Sequence, residues 1–313
     1  MALTIGVDVG GTKIAYGVVD EHGAILERGL RHSPAGSPEK MALTIADAVT
    51  ELAARHSVEA VGIGAAGFVD ETRSIIRFAP NLAWREEPLR EKVGELVGLP
   101  VVVENDANAM AWGEYRFGAG RGESHVVCVT VGTGIGGGIV LGGELYRGRW
   151  GMGAELGHMQ AVPGGRACGC GNSGCWERYA SGSALLMEAR NNAQADPAGA
   201  AHLLRLGGSV EGIQGEHVTE AARQGDRAAL AAFESLAGWL AQGLADMAAV
   251  LDPGCFIIGG GVSGAADLFV DRVREEFAAR LTGRGHRPLA EIRVAEMGPA
   301  AGLVGAGDLA RLR

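Results

Sequence analysis

The segment ACGCGNSGCWE holds three of the five cysteines in the chain, Cys168, Cys170 and Cys175, with His158 ten residues ahead of the first. Three thiols cannot all pair with one another, so a disulfide would strand one. Three thiolates and one imidazole instead complete a tetrahedral set for Zn²⁺, and a set with no open position is structural. Cys128 and Cys255 sit inside apolar runs and are expected to be core residues. Glu155 and His158 are spaced i, i+3, and Glu177 follows Cys175 by two. If a metal folds this loop, two carboxylates and an imidazole can converge, a set suited to paired hydrogen bonds with sugar hydroxyls. Taken alone, either glutamate also reads as a solvated surface charge.

A second group lies in VVVENDANAMAWGE. Glu104, Asn105 and Asp106 end an apolar run that reads as a buried strand. In open α/β sheets, ligands bind at the carboxyl ends of strands. Asn105 and Asp106 also suit the N-cap of the helix expected from ANAMAWGE. The functional reading makes Asp106 a general base that takes a proton from a substrate hydroxyl as its oxygen attacks a γ-phosphate. Asn105 would hold a neighbouring hydroxyl.

Three glycine-rich turns each follow an apolar run: VDVGGTK, VTVGTGIGGG and IIGGGVS. Such turns expose backbone N–H groups that can bind phosphate oxygens. Thr12 and Thr133 add hydroxyl donors, and Asp8 lies where a carboxylate could hold Mg²⁺ through water. None of the three fits G-x4-G-K-[ST]. Gly132 to Gly137 fits G-x-G-x-x-G by letter but leads into a strand, not a helix, so a dinucleotide reading fails on context.

These groups need elements to hold them. LTIGVDV and IAYGVVD read as strands around the first turn, with a third strand over Ala24 to Leu30. The spacing of Met41, Ile45, Val49 and Leu52 predicts a helix over Pro38 to Arg55. Strands alternating with helices make the fold α/β. VVCVTVGTGIGGGIV resembles the opening hairpin when Thr130 is set against Asp8, which suggests two related lobes. Helices are expected over Ser181 to Asn191, Thr219 to Gln224, Asp226 to Leu251, Ala266 to Leu281 and Leu303 to Leu312. Strands are expected at CFIIGGG and Ile292 to Ala295. Residues 192–214 have no assignable period.

The chain of 313 residues is 47% hydrophobic, enough for a large core and about two domains. Its net charge of −9 and lack of a basic run disfavour nucleic acid as a partner. No apolar stretch approaches the ~20 residues of a membrane span. The N-terminus lacks the charged and apolar regions of a signal peptide. With few cysteines, the expected setting is cytoplasmic and reducing.

DVGGTK, ENDANAMAWGE, GTGIGGG, AELGH, CGCGNSGCWE and IIGGGVS occur in this order and together resemble the ROK family, which groups sugar kinases with related repressors. The resemblance spans almost the full chain. VDVGGTKIA, VVVENDANA, AWGEYRFGAG and ARQGD are most similar to the actinobacterial branch that phosphorylates glucose with ATP. The resemblance implies an actin-like ATPase (ribonuclease H-like) fold with two lobes around a central cleft. The small lobe is expected at 1–110 plus about 300–313, and the large lobe at 111–299 with a zinc loop at 158–175. It makes Asp106 the catalytic base toward the 6-hydroxyl. It puts Gly67, Asn81, Asn105, Asp106, Glu155, His158 and Glu177 on the sugar. It gives Asp8, Gly10, Gly11, Thr12, Lys13, Thr133, Gly134, Gly260 and Gly261 to the nucleotide, with Mg²⁺ near Asp8. His158, Cys168, Cys170 and Cys175 would hold the zinc, so His158 would serve metal and sugar with one ring nitrogen each.

The implied partners are glucose and ATP, in a homodimer or homotetramer. N-acetylmannosamine, N-acetylglucosamine or fructose are alternative sugars, because several kinases of the family share the E-x-G-H pair. Polyphosphate as donor is disfavoured by the cysteine loop. A sugar-sensing repressor is disfavoured by the acidic charge and by a first turn beginning at Gly10, which leaves no room ahead of it for a helix-turn-helix. Replacing Cys170 with Ser is expected to raise the sugar KM and leave the phosphate turns untouched.

Overall fold

The computed structural model describes residues 3–312. The chain forms two compact units: 1–128, 137–154 and 295–313 make the first, and 129–136 with 155–294 the second.

In the first unit, β1 (Leu3–Val9), β2 (Lys13–Val19) and β3 (Ile25–His32) form an antiparallel meander. The helix α1 (Pro38–Ala53) leads to β4 (Val58–Ala65), which runs parallel to β1. Ser37 caps α1 by accepting the Lys40 N–H at 3.3 Å, and Pro38 opens it. Met41, Ile45, Val49 and Leu52 form the buried stripe their spacing predicts, packed with Ile5, Val7 and Ile63 of the sheet. Three short strands follow, β5 (Phe68–Val69), β6 (Ile76–Phe78) and β7 (Arg85–Glu87), and make a small sheet of their own. Then come α2 (Leu89–Val97), β8 (Val101–Asn105) and α3 (Asp106–Phe117). The main sheet has the order β3-β2-β1-β4-β8.

The helix α10 (Ala301–Arg311) covers this sheet and is buried almost throughout. Gly302, Gly305 and Gly307 give it poor intrinsic propensity, since each glycine costs up to ~1 kcal/mol relative to alanine. Tertiary packing overrides that cost. A Cβ at Gly6 or Gly62 would lie 1.9 or 1.8 Å from the Leu303 or Ala306 carbonyl oxygen, and one at Gly305 would lie 1.8 Å from that of Ala109. Backbone therefore meets backbone, with glycine on β1, β4 and α10 itself. Asp308 is buried within α10, but Trp112 Nε1 at 2.9 Å, Arg311 at 2.6 Å and Arg116 at 3.3 Å compensate its charge. The buried carboxylate of Glu114 accepts the backbone N–H groups of Ala119, Glu296 and Met297, which fixes the approach to α10.

The second hairpin, β9 (Val126–Val131) and β10 (Ile135–Leu141), is followed by β11 (Glu144–Tyr146). Next come α4 (Glu177–Ala180), α5 (Gly182–Ala195), α6 (Ala201–Gly207), α7 (Gly215–Arg223) and α8 (Arg227–Leu251). The chain then forms β12 (Cys255–Gly259), α9 (Val270–Arg280) and β13 (Glu291–Val294). The sheet order is β11-β10-β9-β12-β13. Numbered within its own sheet, each sheet reads third, second, first, fourth, fifth, so the likeness between the two glycine hairpins extends to topology. The unassigned stretch 192–214 holds the end of α5 and all of α6. The helix expected from Ala266 begins at Val270, after an irregular 3-10 segment over Gly261–Leu268. Among the described residues, no helix is long and apolar enough to cross a membrane.

Candidate active site

The start of α3 separates Asn105 from Asp106. Asn105 is extended (φ −62°, ψ 143°), and its Oδ1 accepts the Asn108 N–H at 3.0 Å, so it is the N-cap of α3. Its Nδ2 donates to the Gly67 carbonyl at 3.2 Å, which ties the strand end to the AAG turn. Asp106 is thus the first helical residue, its carboxylate released from capping. Backbone N–H groups of the first turn favour its charged form, but burial outweighs them and raises its pKa.

Asp8 sits near the end of β1, opposite Ala15 of β2. Burial, reinforced by the Asp106 charge and opposed by Lys13, lifts its carboxyl to about 6. The Gly10 N–H donates to the Lys13 carbonyl at 3.0 Å and closes the turn, leaving Gly11, Thr12 and Lys13 exposed. Asn81 approaches Gly11: a Cβ there would lie 3.8 Å from the Asn81 carbonyl oxygen. The first unit thus gathers Asp8 with Asp106, Gly11 with Asn81, and Gly67 with Asn105.

In the second unit, a 3-10 turn at Leu156–His158 sets Glu155 and His158, with the His158 N–H on the Glu155 carbonyl at 3.0 Å. Gly157 packs this turn on the second hairpin: a Cβ there would lie 2.2 Å from the Ile135 carbonyl oxygen. One metal-binding atom from each of His158, Cys168, Cys170 and Cys175 lies within 4.8 Å of the others. Cys168 Sγ is 3.7 Å from His158 Nδ1, and Cys170 Sγ is 3.6 Å from Cys175 Sγ. Tetrahedral ligands at Zn–S and Zn–N bond lengths are separated by about 3.5–3.8 Å, so the donor set fits a metal of that size. Burial pushes the Cys168 thiol up to about 12 and raises Cys175, while the Asn172 backbone N–H lowers Cys170.

Glu177 is set by its neighbours. Cys175 bridges to Gln160, and Trp176 is fully buried, its Nε1 donating to the Trp239 carbonyl at 2.7 Å. Gly243 of α8 is required beneath the indole, which lies 2.3 Å from where a Cβ would stand. One Glu177 oxygen accepts from the Cys168 thiol at 3.0 Å. The other lies 2.5 Å from the Cβ position of Gly134. The Gly182 N–H also donates to the Gly132 carbonyl at 2.7 Å. The residues that follow the cysteine loop therefore lean on the Gly132–Gly134 turn.

That turn is closed by the Gly132 N–H on the Gly134 carbonyl at 3.0 Å, and the Thr130 hydroxyl accepts the Gly136 N–H at 3.1 Å. Thr133 at its tip is exposed. Gly260 has φ +85°, and Gly261 lines a cavity of ≈ 500 Å³ with Glu216, Thr219, Glu220 and Arg223. These four α7 residues escaped the sequence reading. Their only signal was helical spacing next to a glycine turn that lies far away along the chain.

The ROK family model matches residues 4–313, and the chain belongs to that family. A glucokinase of Streptomyces coelicolor is 54% identical over 312 residues, covering 99% of this chain and 98% of that protein. A glucokinase of Thermotoga maritima is 40% identical over 274 residues, covering 87% and 86%. A ROK family glucokinase from Streptomyces griseus, solved in complex with glucose and AMPPNP, is 56% identical, with a TM-score of 0.89 over 100% of both chains. The fold is the actin-like ATPase fold of these kinases.

Proposed function

We propose that the protein is an ATP-dependent glucokinase that converts glucose and ATP to glucose 6-phosphate and ADP. Full-length likeness to glucokinases supports the reaction. The geometric observation that carries it is the division of labour at β8–α3: Asn105 caps the helix, and Asp106 is released to act as base. Asp106 takes the proton of the 6-hydroxyl. The oxygen bonds to the γ-phosphorus as the bond from that phosphorus to the β–γ bridging oxygen breaks, and ADP leaves. A raised carboxyl pKa suits a base, since proton-transfer driving force grows as the pKa approaches the working pH.

Asn105, Gly67 and Asn81, with Glu155, His158 and Glu177, are assigned to the sugar hydroxyls. Gly10, Gly11, Thr12, Lys13, Thr133 and Gly134 are assigned to the phosphates. Gly260 and Gly261 are assigned to the adenosine, and Gly261 borders the cavity that would take it. Asp8 suits Mg²⁺ held through water, because its raised carboxyl beside Asp106 marks a site where a cation would relieve like-charge repulsion. When bound, the cation neutralises phosphate charge. The enzyme is read as a cytoplasmic homodimer or homotetramer.

A coupled ADP-release assay over glucose, fructose, N-acetylmannosamine and N-acetylglucosamine, with ATP or polyphosphate, tests the assignment. Glucose with ATP should give the highest kcat/KM; a higher value on another sugar overturns it.

His158 and the three cysteines are read as a structural Zn²⁺ site. Elemental analysis of active enzyme should find about one zinc per chain, as a closed four-ligand site requires. Cys170→Ser should lose the metal, lower the melting temperature and raise the glucose KM by about tenfold or more. Because Glu177 and Gly182 touch the Gly132–Gly134 turn, the ATP KM should rise as well. A fully active, folded sample without metal would refute this account of the loop.

A further inference from the structure

Glu104 has an acidic side chain, is 1% exposed, and takes no part in the reaction described above. Its Oε1 accepts the Asn105 backbone N–H at 2.9 Å and the Asn108 Nδ2 at 3.1 Å. Its Oε2 forms ion pairs with Arg147 Nε at 2.7 Å and Arg73 Nε at 3.2 Å. These partners come from three segments. Asn105 and Asn108 belong to the β8–α3 junction that presents Asp106. Arg73 lies in the turn between β5 and β6, which Asp70 organises by accepting the N–H groups of Ser74 and Ile75 at 2.8 Å. The Arg73 carbonyl then accepts the Val103 N–H at 3.1 Å, which zips that turn onto β8. Arg147 begins the connection 147–154 that leads along the chain to Glu155 and His158. It donates to the Asp70 and Glu71 carbonyls at 2.9 and 3.1 Å. Gly151 closes the same contact, since a Cβ there would lie 2.5 Å from the Val69 carbonyl oxygen.

We propose that Glu104 is a positioning residue for phosphoryl transfer: its buried carboxylate holds the Asp106 strand end, the Asp70–Ile75 turn and the 147–154 connection in one register. The proposal rests on the glucokinase reading. The donor count explains why a carboxylate is needed. Two N–H donors address one oxygen and two guanidinium groups the other. A glutamine offers a single acceptor oxygen and no charge, so its NH₂ group faces either the two N–H donors or the two guanidinium cations, whichever way the amide turns.

The test is steady-state kinetics on both substrates, with melting temperatures, for wild type, Glu104→Gln, Arg147→Met and the double variant. Glu104→Gln should lower kcat/KM for glucose about 100-fold, the scale of a misplaced reacting group, with the ATP KM within about twofold. Arg147→Met should raise the glucose KM. The double variant should be no worse than Glu104→Gln alone, because both act through one cluster. A purely structural role would lower the melting temperature and leave this split absent. Unchanged glucose kcat/KM in Glu104→Gln, an ATP KM raised as far as the glucose KM, or additive single effects would each overturn the proposal. If Glu104→Gln does not fold, Arg147→Met decides: a raised glucose KM supports the proposal and an unchanged one overturns it. Failure of the glucokinase reading shows separately, as wild-type enzyme inactive on glucose.

Discussion

Asp106→Asn is expected to lower kcat by about 10²–10⁴-fold, the usual contribution of a positioned general base. The glucose KM should change little. Asparagine keeps the shape and can still hydrogen-bond a hydroxyl, but it cannot accept the proton. The cap of α3 is Asn105, so the substitution leaves the helix start intact, and the melting temperature should not fall. If Asp106 served only as a helix cap, asparagine would replace it with little change in stability, and turnover would survive. The pH profile gives a second readout. Burial raises the Asp106 carboxyl, and Asp8 lies near 6. The base works only when deprotonated, so kcat/KM should fall as pH drops, beginning above the ordinary carboxylate range. The residual activity of Asp106→Asn should lose the part of this limb that belongs to residue 106. A variant with near wild-type kcat would remove Asp106 from the mechanism.

The second large effect is on folding. Gly305→Ala places a Cβ 1.8 Å from the Ala109 carbonyl oxygen, with the Gly113 nitrogen at 2.8 Å. Both are backbone atoms of a buried helix, so no side chain can rotate away. The helices α3 and α10 must separate, which takes α10 off β1 and β4. Overpacking of this kind, without room to relax, belongs to the rare class of single changes above about 4 kcal/mol. Denaturant unfolding should show that loss, or the protein should fail to accumulate in soluble form. Alanine's better helix propensity would stabilise by ~1 kcal/mol if packing were neutral, so the sign itself is diagnostic. Gly264→Ala is the control, because nothing lies within 4 Å of its Cβ position. A Gly305→Ala protein as stable as wild type would mean that the α3–α10 contact is not close-packed.

The two hairpins were legible because alternating apolar residues and Gly-Thr turns are local signals. The His158, Cys168, Cys170 and Cys175 cluster was legible as a candidate metal site because three of its four residues lie within eight positions. The strands β5, β6 and β7 were not, since runs of two or three residues carry no period and β7 reads as Arg-Glu-Glu. Asn105 and Asp106 could not be separated from sequence, because both residue types cap helices and only the backbone angles decide. Glu104 hid for another reason. Its partners Arg73 and Arg147 are distant in sequence, and a glutamate after three valines gives no hint that two guanidinium groups will reach it. The α7 side chains at the cavity near Gly261 belong to the same class of long-range facts.

The burial of α10 has a consequence for the order of synthesis. Residue 301 leaves the ribosome nearly 300 residues after β1. At about 5–20 residues per second, that interval is roughly 15–60 s. The last strand of this sheet ends at Asn105, so for roughly 10–40 s of that interval the sheet is complete and the glycine-lined face of β1 and β4 has no cover. The nascent first unit must wait for a helix encoded beyond the whole second unit, and a chaperone binding that bare face would have that time to act.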